Sequence, residues 1–319
     1  MTTPALPPDP AMLGHLRPSD RAGWQHSGLA IVMTGAGVWL SLSGGWGMWL
    51  GGQLVLATAL VQWFVLLHEC GHGTLFATRR LNILVGHLAG FFALIPFDVW
   101  KRIHGRHHRW TGWQDVDPTT AALAPRELSR IERTLINVCW RCWIPLFSVL
   151  YRLNNFWNVT RLRRLFPDPL VSRRLILSAV ALLTCYVAAL VILGVGPSLR
   201  IFAAALIAAL VLEDVLIVSQ HTHIPMGLSH GHDVTPHPAM AQAPFTRSLR
   251  LPAWASRLVL HFDAHELHHM YPFVPGYRLD DVPFTPGNEV QWWRWIPAAR
   301  AVRGDVLFFQ NRDDTGFDL

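Results

Sequence analysis

Histidines in this chain are grouped at spacings that suit metal binding. The sequences HECGH, HGRHH and HELHH occupy residues 68–72, 104–108 and 265–269, and QHTH follows at 220–223. On a helix, positions i, i+3 and i+4 share one face, so each group directs its imidazoles to one side. Neutral imidazole suits iron, copper, zinc or nickel, whereas a structural zinc site normally includes cysteine and has four ligands. Eight clustered histidines exceed the ligand shell of one ion, so their number predicts two metal ions.

The remaining candidate ligands carry weaker signals. Of the four cysteines, only Cys139 and Cys142 form a CxxC pair, and without a second pair we expect structural roles for them. Isolated histidines are usually ordinary polar residues, and we expect this of His15, His26, His230, His232 and His237.

The composition predicts a membrane protein that must position these groups. The 319 residues are 51% hydrophobic and 15% charged, with a mean hydropathy of +0.26. Four apolar stretches are each near the ~20 residues that cross a bilayer. They lie at roughly 27–42, 47–67, 175–195 and 199–218, and two short turns join them in pairs. We therefore expect two transmembrane hairpins.

The distribution of basic residues predicts the orientation. The two short turns contain only Arg200, whereas the other connections are rich in arginine, so the positive-inside rule places those connections in the cytoplasm. No cleavable signal sequence is visible, and we expect a cytoplasmic N-terminus. All histidine groups then lie at one membrane face.

Residues 81–97 are apolar but must be re-entrant or interfacial, because a crossing there would separate the first two groups. Residues 136–157 are predicted to form an amphipathic interfacial helix.

The expected fold is an all-α, multi-pass integral membrane protein with a cytoplasmic, histidine-rich domain for two metals and interfacial helices. It divides into an N-terminal segment (1–26), a membrane domain with its metal site (27–280) and a C-terminal tail (281–319).

The order HxxxH, HxxHH, HxxHH resembles that of the membrane fatty acid desaturases, and the acyl-lipid omega-6 type in particular. Three further segments resemble that family: LVGHLAGFFALIPFDVW at 84–100, QHTHIP at 220–225 and HHMYPFVPGYRL at 268–279. The resemblance implies nine ligands to two irons: His68, His72, His104, His107, His108, His221, His265, His268 and His269. His221 matches the ninth ligand better than His223, because it follows the glutamine of that element. No catalytic residue beyond the ligands is expected.

Other polar residues near these groups are candidate partners of the ligands. We expect His87 and His261 to orient ligand imidazoles. For Glu69, Asp98, Asp115 and Asp117, such a role and a plain solvated or capping role are both open. Glu213 and Asp214, in the last apolar stretch, either polarise His221 or line an acyl channel.

The resemblance implies oxidation of a buried acyl chain in a membrane lipid. Two irons and O₂ would remove hydrogen from adjacent methylenes, with electrons from outside, because the chain contains no dinucleotide fingerprint or fused heme motif. A ferredoxin or a cytochrome b5 is the expected donor, attracted by the basic face.

Three alternatives compete with a desaturase. A hydroxylase or ketolase of the same superfamily would act on a carotenoid, sphingoid base or alkane, and the segment at 84–100 favours the desaturase. A metal transporter is disfavoured because the apolar stretches hold few ionisable residues. The net charge of +6 does not indicate nucleic-acid binding, since no such motif is present.

Overall fold

The computed structural model describes residues 7–285 and 287–319, and these are mostly helical. The predicted N-terminal segment 1–26 thus falls in part outside the described residues. The helices are α1 (Asp20–Leu42), α2 (Trp46–His72), α3 (Arg79–Ala93), α4 (Phe97–Trp110), α5 (Arg130–Arg141), α6 (Leu146–Arg152), α7 (Val159–Leu165), α8 (Pro169–Leu193), α9 (Val195–His221), α10 (Ala253–Leu258), α11 (His265–Met270), α12 (Trp292–Ala301), α13 (Gly304–Phe309) and α14 (Arg312–Thr315).

The chain forms two compact units, each built from separate segments. The membrane unit comprises Ser19–Ile103 and Phe147–Asp214. The histidine unit comprises the described part of Met1–Pro18 together with His104–Leu146 and Val215–Leu319.

Within the described residues, three helices are long and apolar enough to cross a membrane: α2, α8 and α9. Two bent pairs raise this number to five if each pair counts as one span, namely α3 with α4 (93°) and α5 with α6 (117°). Three predicted stretches lie within helices α1, α2 and α9, and the stretch 175–195 runs two residues past the end of α8, but α1 is not among the candidate spans. The protein is therefore a membrane protein, and a count of four spans stays a prediction. The bend between α3 and α4 fits either a broken span or the expected re-entrant element.

Helices α1 and α2 form a close hairpin in the membrane unit. A Cβ on Gly37 would lie 2.5 Å from Cγ of Leu56, so the glycine allows the helices to touch. On α2, Gln53 accepts a hydrogen bond from N–H of Ala205 (2.9 Å) and donates to the carbonyl of Ile201 (2.8 Å). Its amide thereby bridges two groups of α9 that are four residues apart, and it fixes α9 against α2.

Glu213 and Asp214 anchor the segment at α6 to α9. Glu213 forms a buried ion pair with Arg152, whose Nε also donates to the carbonyl of Ala93 (3.1 Å). Asp214 accepts a hydrogen bond from N–H of Ser148 (2.7 Å). Both carboxylates therefore have structural partners within the membrane unit, and a role toward His221 or an acyl channel stays a prediction.

The prediction of one amphipathic helix at 136–157 is wrong. Helix α5 ends at Arg141, α6 begins at Leu146, and a π-helical turn follows at Leu153–Trp157. The break contains Pro145, which disfavours helical backbone at the preceding residue, and Trp143 has φ +58°.

The prediction of an all-α fold also needs a small correction. Strands β1 (Ser248–Arg250) and β2 (Glu289–Gln291) pair in parallel, with Ser248 opposite Glu289. This sheet holds α11: N–H of Glu266 donates to Oγ of Ser248 (3.1 Å), and N–H of Asn288 donates to Oε1 of Glu266 (2.9 Å). Leu267 and Met270 of α11 belong to an apolar cluster with Leu13, Leu16, Val274, Leu279 and Val282.

Candidate metal centre

Seven of the nine predicted ligands lie in the histidine unit, on α11 and on the parts of α4 and α9 that belong to that unit. His104, His107 and His108 lie on the last turns of α4, where the spacing i, i+3, i+4 places them on one face. His265, His268 and His269 repeat that spacing on α11, all of whose side chains are buried. His221 is the last residue of α9.

Four of these histidines form a first cluster: His107, His221, His265 and His269. One ring nitrogen from each lies within 4.8 Å of the others. Nε2 of His265 is 2.7 Å from Nε2 of His221 and 3.0 Å from Nε2 of His269. Ligands at ~2.1 Å from one ion are at most ~4.2 Å apart, so the cluster is close to the size that one metal ion requires.

The outer nitrogens of the first cluster are held by hydrogen-bond acceptors. Nδ1 of His107 is 2.6 Å from Oδ2 of Asp117, and Nδ1 of His221 is 3.2 Å from the carbonyl oxygen of Phe245. Nδ1 of His269 is 2.9 Å from Oε1 of Gln242. These oxygens accept, so each Nδ1 donates its proton and Nε2 keeps its lone pair.

The orientation of the Gln242 amide follows from its other contacts. Its Nε2 donates to the carbonyl oxygens of His108 (2.7 Å) and His237 (3.0 Å). Since only the amide nitrogen can donate to carbonyls, Oε1 must be the atom that faces His269.

The lone pairs of the first cluster could be satisfied by a metal cation. Nε2 of His265 lies between the unprotonated Nε2 atoms of His221 and His269, and a single proton on His265 cannot satisfy both. Burial lowers the pKa of His269 well below its usual value, and the nearby imidazoles of His108 and His265 act in the same direction. His269 is thus kept neutral, which is the form of imidazole that binds a metal.

A second group lies beside the first cluster. It contains His104, His108 and His268, whose ligand nitrogens also lie within 4.8 Å of one another. Nε2 of His108 is 3.1 Å from Nε2 of His104 and 3.0 Å from Nε2 of His268. The rings of His108 and His269 stack with their centroids 4.3 Å apart, so the two groups are adjacent.

The other two predicted ligands belong to the membrane unit. His68 and His72 lie on the last turn of α2 with ring centroids 4.9 Å apart. Nδ1 of His68 is 3.1 Å from Oε1 of Glu69, and the second oxygen of Glu69 accepts from Oγ1 of Thr74 (2.8 Å).

Among the candidate partners of the ligands, two carboxylates contact a predicted ligand. These are Asp117, with His107, and Glu69, with His68. Asp98 instead pairs with Arg174 (2.9 Å), and Asp115 accepts from N–H and Oγ of Ser229.

The predictions for His87 and His261 are not supported by their contacts. His87 is exposed, and its ring packs against Phe97. Nδ1 of His261 is 2.9 Å from Oγ of Ser256 and 3.2 Å from Oδ1 of Asp280. In the described part of the chain, neither residue contacts a predicted ligand.

Gln242 and Arg247 were not among the site residues predicted from the sequence. Gln242 comes from a loop rich in proline and alanine, 27 residues before its partner His269. Buried Arg247 donates to the carbonyl oxygens of Ser219 (3.0 Å), Thr222 (3.2 Å) and His223 (3.4 Å). It thus binds the carbonyls at the end of α9, the end that carries His221.

His223 lies outside both histidine groups. Its Nε2 is 2.9 Å from Oγ1 of Thr315 and 3.2 Å from the carbonyl oxygen of Phe317, and its ring stacks on Phe317. His223 therefore contacts the C-terminal segment of the chain.

The chain belongs to the fatty acid desaturase family, whose sequence model matches residues 19–283. It is 32% identical over 105 residues to the sn-1 oleoyl-lipid 12-desaturase of Anabaena variabilis, a match that covers 33% of this chain and 30% of that protein. It is 24% identical over 241 residues to an acyl-lipid omega-3 desaturase (cytochrome b5) of the endoplasmic reticulum of Arabidopsis thaliana, covering 68% of this chain and 58% of that protein. A chloroplastic sn-2 acyl-lipid omega-3 desaturase (ferredoxin) of the same plant is 25% identical over 230 residues, with coverages of 68% and 51%. The matches thus span less than two thirds of each relative.

Replacing Asp117 with asparagine is expected to lower activity by ~10 to 100-fold, as is usual when a partner that orients a metal ligand is altered. The substitution keeps the shape of the side chain but removes the charge 2.6 Å from Nδ1 of His107. Asp115→Asn is the matched control, because Asp115 bonds Ser229 and should leave activity near wild type. Product formation per bound metal is the measurement. Equal activities for the two variants would show that Asp117 does not orient His107.

Proposed function

We propose that the chain is a membrane di-iron oxidoreductase that introduces a double bond into a fatty acyl chain. The observation that carries the proposal is the first cluster, in which four imidazoles, three of them buried, bring ring nitrogens to a common centre. Membership of the fatty acid desaturase family supports the reaction class.

The proposed ligands of the two irons are the nine predicted histidines: His68, His72, His104, His107, His108, His221, His265, His268 and His269. For the seven in the histidine unit, the support is their grouping there. For His68 and His72, the support is the sequence pattern and the family. The donor set fits iron, because it consists of borderline imidazole nitrogens without cysteine.

The proposed reaction balances with external electrons. Two hydrogens leave adjacent methylenes of the acyl chain, which loses two electrons as the double bond forms. Two further electrons come from a donor protein, and O₂ is reduced to two waters with two added protons. Bound iron would supply the redox chemistry that activates O₂. The protein's own residues orient the imidazoles through Asp117, Gln242 and the carbonyl of Phe245, so that each Nε2 faces the common centre.

The proposed substrate is an acyl chain of a membrane lipid. Relatives are named as acyl-lipid and oleoyl-lipid desaturases, and two of them as dependent on ferredoxin or cytochrome b5. We extend both features to this chain: a lipid-linked acyl substrate, and an external donor of one of these two kinds.

The proposed topology places the histidine groups at the cytoplasmic face, with the domain limits predicted above. Labelling of single cysteines, in a background with all four native cysteines replaced, is expected to report Gly45→Cys on one side of the membrane and Arg109→Cys and Asp280→Cys on the other. All three positions are exposed. Labelling of Arg109→Cys and Asp280→Cys from opposite sides would contradict a shared metal face.

Lipid analysis tests the proposed function directly. Expression in a host without polyunsaturated lipids, followed by gas chromatography and mass spectrometry, is expected to show a new double bond in host acyl chains. The His107→Ala chain serves as the matched control and should give none. A hydroxylated or ketonic product instead of an alkene would assign the chain to the alternative reaction of the superfamily.

A further inference from the structure

A cavity of about 500 Å³ lies where α7 meets α8 in the membrane unit. Its lining includes the polar side chains of Arg163, Ser172 and Arg173 and the apolar side chains of Ile176 and Leu177, which follow them along α8. Ser172 is buried, whereas both arginines are exposed. The cavity therefore combines two guanidinium groups with an apolar wall.

The two guanidinium groups are available to a ligand. In the described part of the chain, neither Arg163 nor Arg173 lies within ion-pair distance of a carboxylate, whereas the adjacent Arg174 pairs with Asp98. Asp168 is close in sequence, but Oδ1 of its carboxylate accepts the backbone N–H groups of Leu170 and Val171. A guanidinium group binds phosphate with paired hydrogen bonds, so an anionic phosphate group fits this part of the cavity.

The position of the cavity indicates a lipid rather than a soluble anion. It opens at the first turns of α8, a candidate membrane span that begins at Pro169. Ile176 and Leu177 lie three and four residues after Arg173, roughly 4.5 to 6 Å further along that helix at ~1.5 Å per residue. Leu177 is 55% exposed, and Val180 continues the same exposed apolar surface. An arginine pair at the polar end of a span, with apolar side chains below it, matches the two parts of a phospholipid.

We propose that this cavity binds one anionic phospholipid. Its phosphate lies between Arg163 and Arg173, and an acyl chain lies along Ile176 and Leu177. The site involves no histidine and is independent of the proposed oxidative function.

Native mass spectrometry of the purified full-length protein tests this site. The protein in detergent is mixed with phosphatidylglycerol or phosphatidylcholine, and retained lipid is counted. Wild type is expected to retain one phosphatidylglycerol in preference to phosphatidylcholine. The Arg163→Gln, Arg173→Gln double variant should retain it about tenfold less, because charge-assisted hydrogen bonds are lost.

A charge-matched control distinguishes lipid binding in this cavity from a general attraction of anionic lipid to exposed basic residues. Arg80→Gln with Arg164→Gln removes two exposed arginines that do not line the cavity, and it should retain phosphatidylglycerol like wild type. The single variants Arg163→Gln and Arg173→Gln give the same comparison if the double variant does not fold. Equal retention by cavity and control variants would overturn the proposal. Displacement of the lipid by inorganic phosphate would also overturn it, because it would indicate a site for free anions only.

Discussion

His107→Ala and His268→Ala are each expected to abolish product formation and to lower bound iron. His107 belongs to the first cluster and His268 to the second group, so the two variants remove a ligand from different sets. Loss of a ligand from a catalytic metal site removes binding energy together with the geometry that the reaction needs. Product is measured by gas chromatography, and iron by elemental analysis of the purified variants.

The matched controls for these variants are His230→Ala and His232→Ala. Both residues are exposed in the loop that follows α9, and both variants should keep activity near wild type. His237 was expected to be an equally neutral position, but it is a poorer control. Its ring stacks on Trp113, and its carbonyl accepts from the Gln242 amide that contacts His269. Full activity of His107→Ala would refute the metal centre itself.

His221→Ala is expected to be inactive, whereas His223→Ala should retain most of its activity. Nε2 of His221 is 2.7 Å from Nε2 of His265 in the first cluster. His223 faces Thr315 and Phe317 instead, so its loss should mainly loosen the C-terminal segment. Activity and thermal stability are measured together for both variants. An inactive but stably folded His223→Ala, beside an active His221→Ala, would show that the ninth ligand is assigned to the wrong histidine.

The clusters were predictable because they depend on local periodicity. The spacing i, i+3, i+4 suggested a metal site, and in α4 it places His104, His107 and His108 on one helix face. The same spacing gives the same arrangement on α11. His221 was identified from a family element, and the structure places it beside His265. Asp117 was one of several open candidates, and only the folded chain shows that it lies against His107.

Contacts between distant segments could not be predicted from one sequence. Gln242 reaches His269 from a loop without periodicity, and Arg247 binds the end of α9 from the same connection. The three-residue strands β1 and β2 are too short to give an alternating pattern, although they hold α11. Pro145 does indicate a helix break between α5 and α6, because proline disfavours helical backbone at the preceding residue. The apolar and aromatic residues on both sides of it nevertheless favoured the prediction of one continuous helix.

Metal analysis of the purified full-length protein tests the central claim most directly. Elemental analysis is expected to find about two iron ions per chain, because the two histidine groups supply more imidazoles than one ion accepts. Chelation of the iron should remove activity, and its return should restore it. A single zinc ion per chain, with full activity after iron chelation, would contradict the account.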